Sequence, residues 1–394
     1  STRPVVFVFS GTLARFLDVS VLGLLQGANA MLRNLCGITV VAAAFGVSAD
    51  AGGAPAFKSL EDSQGVPFTT ACGVSADGTV VVGYGNAPGE PNEAVVWTEA
   101  TGAFKIGEAD SAQAALDVSA DGQVAVGRTS ADDGDMAFRW SWTAGFEGLN
   151  YLPGHNRSAA YGVSADGAVI VGESRPHPAD TTAVEAFRWT QNGMDSVASN
   201  AYASAVSDDG SVVVGTMDGA AFRWTASTDP VDLPALPGGG VSYGRDCSGN
   251  GSVAVGYGTS ATGTQAFRWT VAGGTVGLGY LPGGSRSEAH AISADGSVVV
   301  GSAHSAEGEV AFIWDAEHGM RPLLDVLVQD CGLDMTGWKL FRAYDVSGDG
   351  TVIVGTGPDP SNRYVAWKAT IPEPATLGLL AFGGLAVVRR RKRL

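Results

Sequence analysis

Positive charge is scarce in this chain: 24 Lys and Arg stand against 40 Asp and Glu, and charged residues of both signs make up only 16% of 394. The formal net charge is −16, and because basic residues crowd toward the two ends, the body between them is more acidic still. Such a body repels phosphate backbones, which excludes nucleic acid as a partner. Cysteine is also rare. Of four, Cys36 falls in an apolar leader, and the remaining Cys72, Cys247 and Cys331 form an odd set that cannot pair fully within an exported chain. No disulfide framework is expected, and the three thiols read as small buried hydrophobes. His155, His177, His290, His304 and His318 show no metal-ligand spacing. Asp132, Asp133 and Asp135 lack the full alternating oxygen pattern of a calcium loop. Neither a metal nor a cofactor is expected.

Glycine, in contrast, fills 56 positions, about twice its usual ~7% share. Many short strands joined by tight turns would use it in this way. Ser-x-Asp-Gly followed by a β-branched run ending in Gly occurs at 75–83, 119–127, 164–172, 207–215, 293–301 and 347–355, with Asn250 replacing Asp in a seventh copy at 248–256. The turn glycines fall 41 to 45 residues apart, except for a last step of 54. Each copy then reaches a strand-like piece ending in Trp: Trp97, Trp140, Trp189, Trp224, Trp269, Trp314 and Trp367. A period near 43 with four strand-like pieces, the fourth such as Val276 to Leu281, is the pattern of a propeller blade. The expected fold is all-β, a seven-bladed β-propeller. A lone piece, Ala56 to Leu60, precedes the first copy, and the last copy stops after its third strand. The two fragments complete one blade, so the ring is closed by an N-terminal strand, which removes exposed sheet edges.

The copies lack the Gly-His and Trp-Asp pairs of WD40 repeats. Over residues 54–370 they resemble the HAF repeat family of extracellular bacterial proteins, which implies an exported propeller. The family's His before Ala-Phe is missing: Met136, Glu185, Ala220, Gln265 and Val310 stand there. The resemblance therefore carries no role for that His here.

The ends read as addresses. From Met31 the chain runs through Arg33, an apolar stretch from Leu35 to Gly46 and Val47-Ser48-Ala49, the order of a secretory signal peptide over 31–49. The mature chain is expected to begin near Asp50, and residues 1–30 read as upstream, non-native sequence. At the other end, Pro372-Glu373-Pro374 precedes apolar residues 375–388 and the basic cluster Arg389, Arg390, Arg391, Lys392, Arg393. The apolar stretch is shorter than the ~20 residues that span a bilayer comfortably, but long basic side chains snorkel, and the positive-inside rule places the cluster in the cytoplasm. Residues 371–394 resemble the PEP-CTERM sorting tail. That implies an exosortase-type processing enzyme as partner, transient anchoring in the inner membrane, and delivery to the cell surface or matrix of bacteria rich in exopolysaccharide.

Most motifs in the body have a structural explanation. Asp-Gly is a strong hairpin signal, with Gly supplying positive φ and Asp accepting local backbone bonds. The turns differ from the sialidase Asp-box, because their Gly comes one place early and their Trp a strand late. The repeated Trp are expected to wedge between blades. Gly240-Val241-Ser242-Tyr243-Gly244 matches a nucleophile elbow in letters but lies in a Gly-rich loop entering a strand, without the helix that motif needs. Residues 323–329, with apolar 323, 324, 327 and 328, suggest helical turns inserted in the last blade, which accounts for the 54-residue step. One position is more informative. Three residues before each repeat Ser stand Cys72, Leu116, Tyr161, Ser204, Arg245, His290 and Tyr344, each preceded by Ala or Gly. A ring of inner strands would line its shared axis this way, making Tyr161, Arg245, His290 and Tyr344 the expected ligand contacts. No catalytic residue is identified. The expected function is a non-enzymatic surface or matrix propeller, a binding or structural module associated with exopolysaccharide. The alternative is an extracellular polysaccharide hydrolase or lyase, which would need convergent carboxylates or a His-Tyr-Arg set on the axis.

Overall fold

The structure, a computed structural model, describes residues 54–60, 68–86, 91–107, 113–131, 134–176 and 184–372. The expected signal peptide, the sequence before it and the tail from Glu373 onward lie outside these. Among the described residues no helix is long and apolar enough to cross a membrane.

Seven four-stranded antiparallel sheets form the seven blades of a propeller. Their innermost strands are Thr70–Val74, Gln113–Val118, Arg157–Val163, Ala201–Val206, Ser242–Cys247, Ser287–Ile292 and Arg342–Val346, for blades 1 to 7 in chain order. The seventh blade is shared between the ends: Ala56–Ser59 pairs antiparallel with Tyr364–Thr370 in the register Ala56 with Thr370 through Ser59 with Trp367. Leu60 continues the pairing, donating its N–H to Ala366 O at 3.0 Å, and is fully buried. The expected helical insertion lies in the connection from the outer strand of blade 6 to the inner strand of blade 7 rather than within the last blade: one helical turn, Leu323–Asp325, running into a π-turn, Val326–Asp330. The outer strand of blade 5 is Gly274–Gly277 rather than 276–281. Leu278 and Leu281 follow it as buried plugs of the connecting loop, and their apolar spacing mimics a strand.

Each Ser-x-Asp-Gly turn is a self-contained hydrogen-bonded unit. Ser75 Oγ donates to Asp77 Oδ1 at 2.7 Å and accepts from Val80 N at 3.0 Å, while Asp77 Oδ1 also accepts from Thr79 N. The turn glycine, Gly78, sits at φ +70°, where any Cβ would strike Val352 of the neighbouring blade. The carboxylates are thus engaged inside their own hairpins. Asp166 is held below the ordinary carboxylate range by the N–H of Ala168 and the hydroxyl of Ser164.

The turns also join around the axis. Ala76 N bonds Ala120 O, Ala165 N bonds Asp208 O, and the pattern continues through Gly249, Ala294 and Gly348, until Gly348 N returns to Ala76 O at 3.1 Å. A basic side chain on the third strand reinforces the seam: Arg188, Arg223, Arg268 and Lys368 each donate to the turn-glycine carbonyl of the next blade.

Seven apolar clusters fill the seams between blades. The repeat Trp lie in these seams, but the Phe two residues earlier is the deeper wedge. Phe138, Phe187, Phe222, Phe267 and Phe312 are at most 1% exposed, whereas Trp140, Trp224, Trp269 and Trp314 are half-buried. Blade 7 departs from the expected alignment: Trp367 pairs with Gly355, the register that Phe312 has with Gly301, and Ala369 takes the Trp position. In blade 1 the Phe register holds Val95, and Phe68 fills the gap from the preceding loop.

Candidate functional site

Every inner strand carries a β-bulge at the same place. The ladder skips Cys72, Leu116, Tyr161, Ser204, Arg245, His290 and Tyr344, each between an Ala or Gly that pairs and a residue that pairs one step later. A bulge leaves its extra residue unpaired and re-aims the side chain. All seven bulge residues line one axial cavity of about 590 Å³. The spacing of three before the repeat Ser is therefore the distance from the bulge to the turn. The structure brings Tyr161, Arg245, His290 and Tyr344 together, on the face where the variable loops emerge.

Flanking positions of the same hairpins complete the wall. His290 Nδ1 lies 2.9 Å from Ala343 O. A carbonyl only accepts, so Nδ1 carries the proton and Nε2 is the nitrogen left toward Glu288, 3.9 Å away. The imidazole stacks on Tyr344, with centroids 5.5 Å apart and planes 16° apart. His290 and Arg286 hold the Glu288 carboxyl down to about 2, against the opposing effect of burial. Arg245 donates to Tyr257 Oη at 3.0 Å and lies over that ring at 5.2 Å. Burial raises the Tyr161 phenol, helped by Glu173 beside it, and likewise raises Tyr344. Arg128, Arg342 and Tyr202 close the rim. The wall thus offers phenol and imidazole faces, guanidinium donors and carboxylate acceptors around a space of small-ligand size.

One level deeper, the residue after the bulge is Asp in three blades: Asp117, Asp246 and Asp345. Each carboxylate accepts from the N–H that follows it and, with its other oxygen, from the next blade: Val163 N at 2.8 Å, Ile292 N at 2.8 Å and Val74 N at 2.7 Å. These bridges were not foreseen. The signal was an Asp two places before the repeat Ser in three of seven copies. Burial lifts Asp117 to about 6 and Asp246 to about 7, and takes Asp345 well above the ordinary range, with the other two carboxylates adding to the rise. Burial, with Asp345 and Asp117, pushes the Cys72 thiol up to about 12, which leaves it unreactive.

The remaining candidates fall elsewhere. Ser242 of the Gly-x-Ser-x-Gly match is buried in a blade seam, accepting from Ala221 N at 2.9 Å. Ser158 and Ser287 do the same for Ala137 and Ala266. Asp135 faces Arg128 at 3.8 Å, while Asp132 and Asp133 lie outside the described residues. Among the described residues no group of three or more His, Cys, Asp or Glu is placed to hold a metal ion.

The PEP-CTERM protein-sorting motif matches residues 370–393. Its match makes the chain an exported protein on a β-propeller scaffold, anchored for sorting at the membrane and processed by an exosortase-type enzyme. No curated protein matches the chain in sequence. Among solved structures, an oligogalacturonate lyase in complex with manganese is similar at 15% identity and a TM-score of 0.54, over 82% of this chain and 98% of that one. A prolyl endopeptidase structure is similar at 12% identity and a TM-score of 0.54, over 78% of this chain and 48% of that one. The likeness to TolB from Acinetobacter baumannii, 11% identical with a TM-score of 0.46, spans 62% of this chain and 63% of that one. At 15% and 12% identity, the first two likenesses show a shared fold alone.

Proposed function

We propose that this chain is a HAF-type propeller delivered to the cell surface or matrix, where its axial cavity binds a sugar residue of an exopolysaccharide without cleaving it. The observation that carries the reading is the convergence of all seven bulge residues on one cavity. Its aromatic faces suit the apolar side of a sugar ring, and its interleaved donors and acceptors suit hydroxyls. Within a strongly acidic body the cavity gathers Arg128, Arg245, Arg342 and His290 against Glu173 and Glu288, a balance that also admits a sugar carboxylate. Calorimetric titration of the exported protein with the producing strain's exopolysaccharide tests this. Tyr344→Ala and His290→Ala are each expected to weaken binding about tenfold, about 1.4 kcal/mol, while the lost contact between blades 6 and 7 lowers the melting temperature by only a few degrees. Unchanged affinity in both variants would contradict the reading.

A second reading, a polysaccharide hydrolase or lyase, is favoured by the pairing of His290 Nε2 with Glu288 beside Tyr344 and Arg342. That is the kind of set proton abstraction beside a carboxylate would use. New reducing ends or unsaturated sugar ends on prolonged incubation would favour it, and an intact polymer would favour binding alone.

A further inference from the structure

A second cavity, of about 720 Å³, lies between blades 6 and 7 on the same face as the axial one. Trp338, Phe341 and Leu324 give it an apolar floor, and Glu307, Asp325 and Lys339 rim it. Trp338 is held by an edge contact with Phe57, centroids 4.8 Å apart, and Phe341 by one with Tyr364 at 5.8 Å. Much of this wall comes from the segment between Pro322 and Phe341, the insertion that lengthens the last repeat. The other blades make the same outer-to-inner connection with shorter loops, so the insertion supplies something other than ring closure.

The two cavities adjoin. Arg342 lines the axial one and Glu309 lines the groove, and their side chains form a two-point ion pair, Nε–Oε1 2.9 Å and Nη2–Oε2 3.3 Å. A residue lining the axial pocket and a residue lining the groove therefore meet at this ion pair. Each space is of the size that takes a small ligand, ~300–1,000 Å³.

Building on the glycan reading above, we propose that groove and axial cavity are one extended site. A glycan chain seats one end at the axis, crosses the Arg342–Glu309 pair and lays its following residues over Trp338 and Phe341. The occupant of the groove is the continuation of the chain held at the axis, because the linings of the two cavities meet at the Arg342–Glu309 pair and the groove combines aromatic faces with carboxylate acceptors for hydroxyls. Binding then depends on chain length.

The test is calorimetry on the exported protein with two ladders of one to six residues, one of cello-oligosaccharides and one of oligogalacturonates. In the ladder that binds, affinity is expected to rise at least tenfold between two and five residues. Phe341→Ala removes that gain and leaves binding of the shortest member unchanged. Lys339→Ala, an exposed rim position, is expected to reduce the gain partly, so the proposal stays testable if Phe341→Ala folds poorly. Affinity independent of length, or a full length gain in both variants, overturns the extended site while leaving the axial one standing. Absence of binding by every member of both ladders overturns the glycan reading itself, and the extended site with it.

Discussion

Removing residues 54–60 is expected to lower the unfolding free energy of the propeller by about 5 kcal/mol, a large part of the ~5–15 kcal/mol that holds a typical domain together. The deletion strips the outer strand from blade 7, and with it the four-residue register from Ala56 to Ser59 against Thr370 to Trp367. Leu60, fully buried, alone accounts for roughly 1.5–3 kcal/mol. Phe57 leaves the aromatic group it forms with Trp338 and Trp367, and each lost strand hydrogen bond adds about 1 kcal/mol. The inner ring has its own closure through Gly348 N and Ala76 O, and the seam between blades 7 and 1 keeps Val352, Val354 and Trp97. The variant is therefore expected to fold and to melt well below the parent. A melting temperature equal to the parent's would show that the strand contributes nothing to closure.

The second large effect is on pH. Asp117, Asp246 and Asp345 have pKa values raised by burial from the unfolded ~3.9, to about 6, to about 7 and well above the ordinary range respectively. Between these values and ~4 the folded ring binds more protons than the unfolded chain. Stability fully present below pH ~4 is therefore lost as pH climbs through 6 to 7. Each tenfold difference in proton affinity between the folded and unfolded chain is worth ~1.4 kcal/mol, so Asp117 and Asp246 each contribute a loss on the order of a few kcal/mol, and Asp345 adds to it in the same direction. The neighbouring groups are Asp208 beside Asp246 and Cys72 beside Asp345 and Asp117, none of which supplies a compensating positive charge. Denaturant midpoints are expected to fall from pH 5 to pH 8, and Asp246→Asn, which keeps one acceptor oxygen and cannot ionise, should flatten the slope. A midpoint rising over that range would contradict the assignment.

Much of this architecture could be read from the chain because the repeat marks one physical unit. Ser-x-Asp-Gly is a closed hydrogen-bonded hairpin, so its six occurrences and the Asn250 variant counted the blades, and the orphan piece at Ala56 located the closure. The axial ring was legible for a related reason: a bulge at a fixed distance from that turn makes residue type vary at one place while its predecessor stays Ala or Gly.

What escaped notice has no such marker. The Asp layer occupies only three of seven equivalent positions, so it reads as scatter. Tyr84, Arg128 and Glu173 each follow the Gly that ends the second-strand run, and Tyr202, Glu288 and Arg342 each stand two residues before a bulge, but Thr216, Ser302 and Thr356 at the first position and Thr70, Ala114 and Ala159 at the second hide the pattern. Trp367 misleads because its strand runs on to Thr370, so the chain around it is two residues out of step and Trp367 takes the Phe register while Ala369 takes the Trp position. In blade 5, Val276 with Leu278 and Leu281 mimics strand alternation, although only the first lies in a strand.

The central claim, that the ring of bulges builds a glycan site on the propeller axis, is tested most directly by a crystal structure of the exported protein soaked with an oligosaccharide it binds. The account predicts sugar density within the axial cavity, against the stacked His290 and Tyr344 and within hydrogen-bonding reach of Arg245. Density confined to the outer rim of the blades, with the axial cavity holding only solvent, would contradict it.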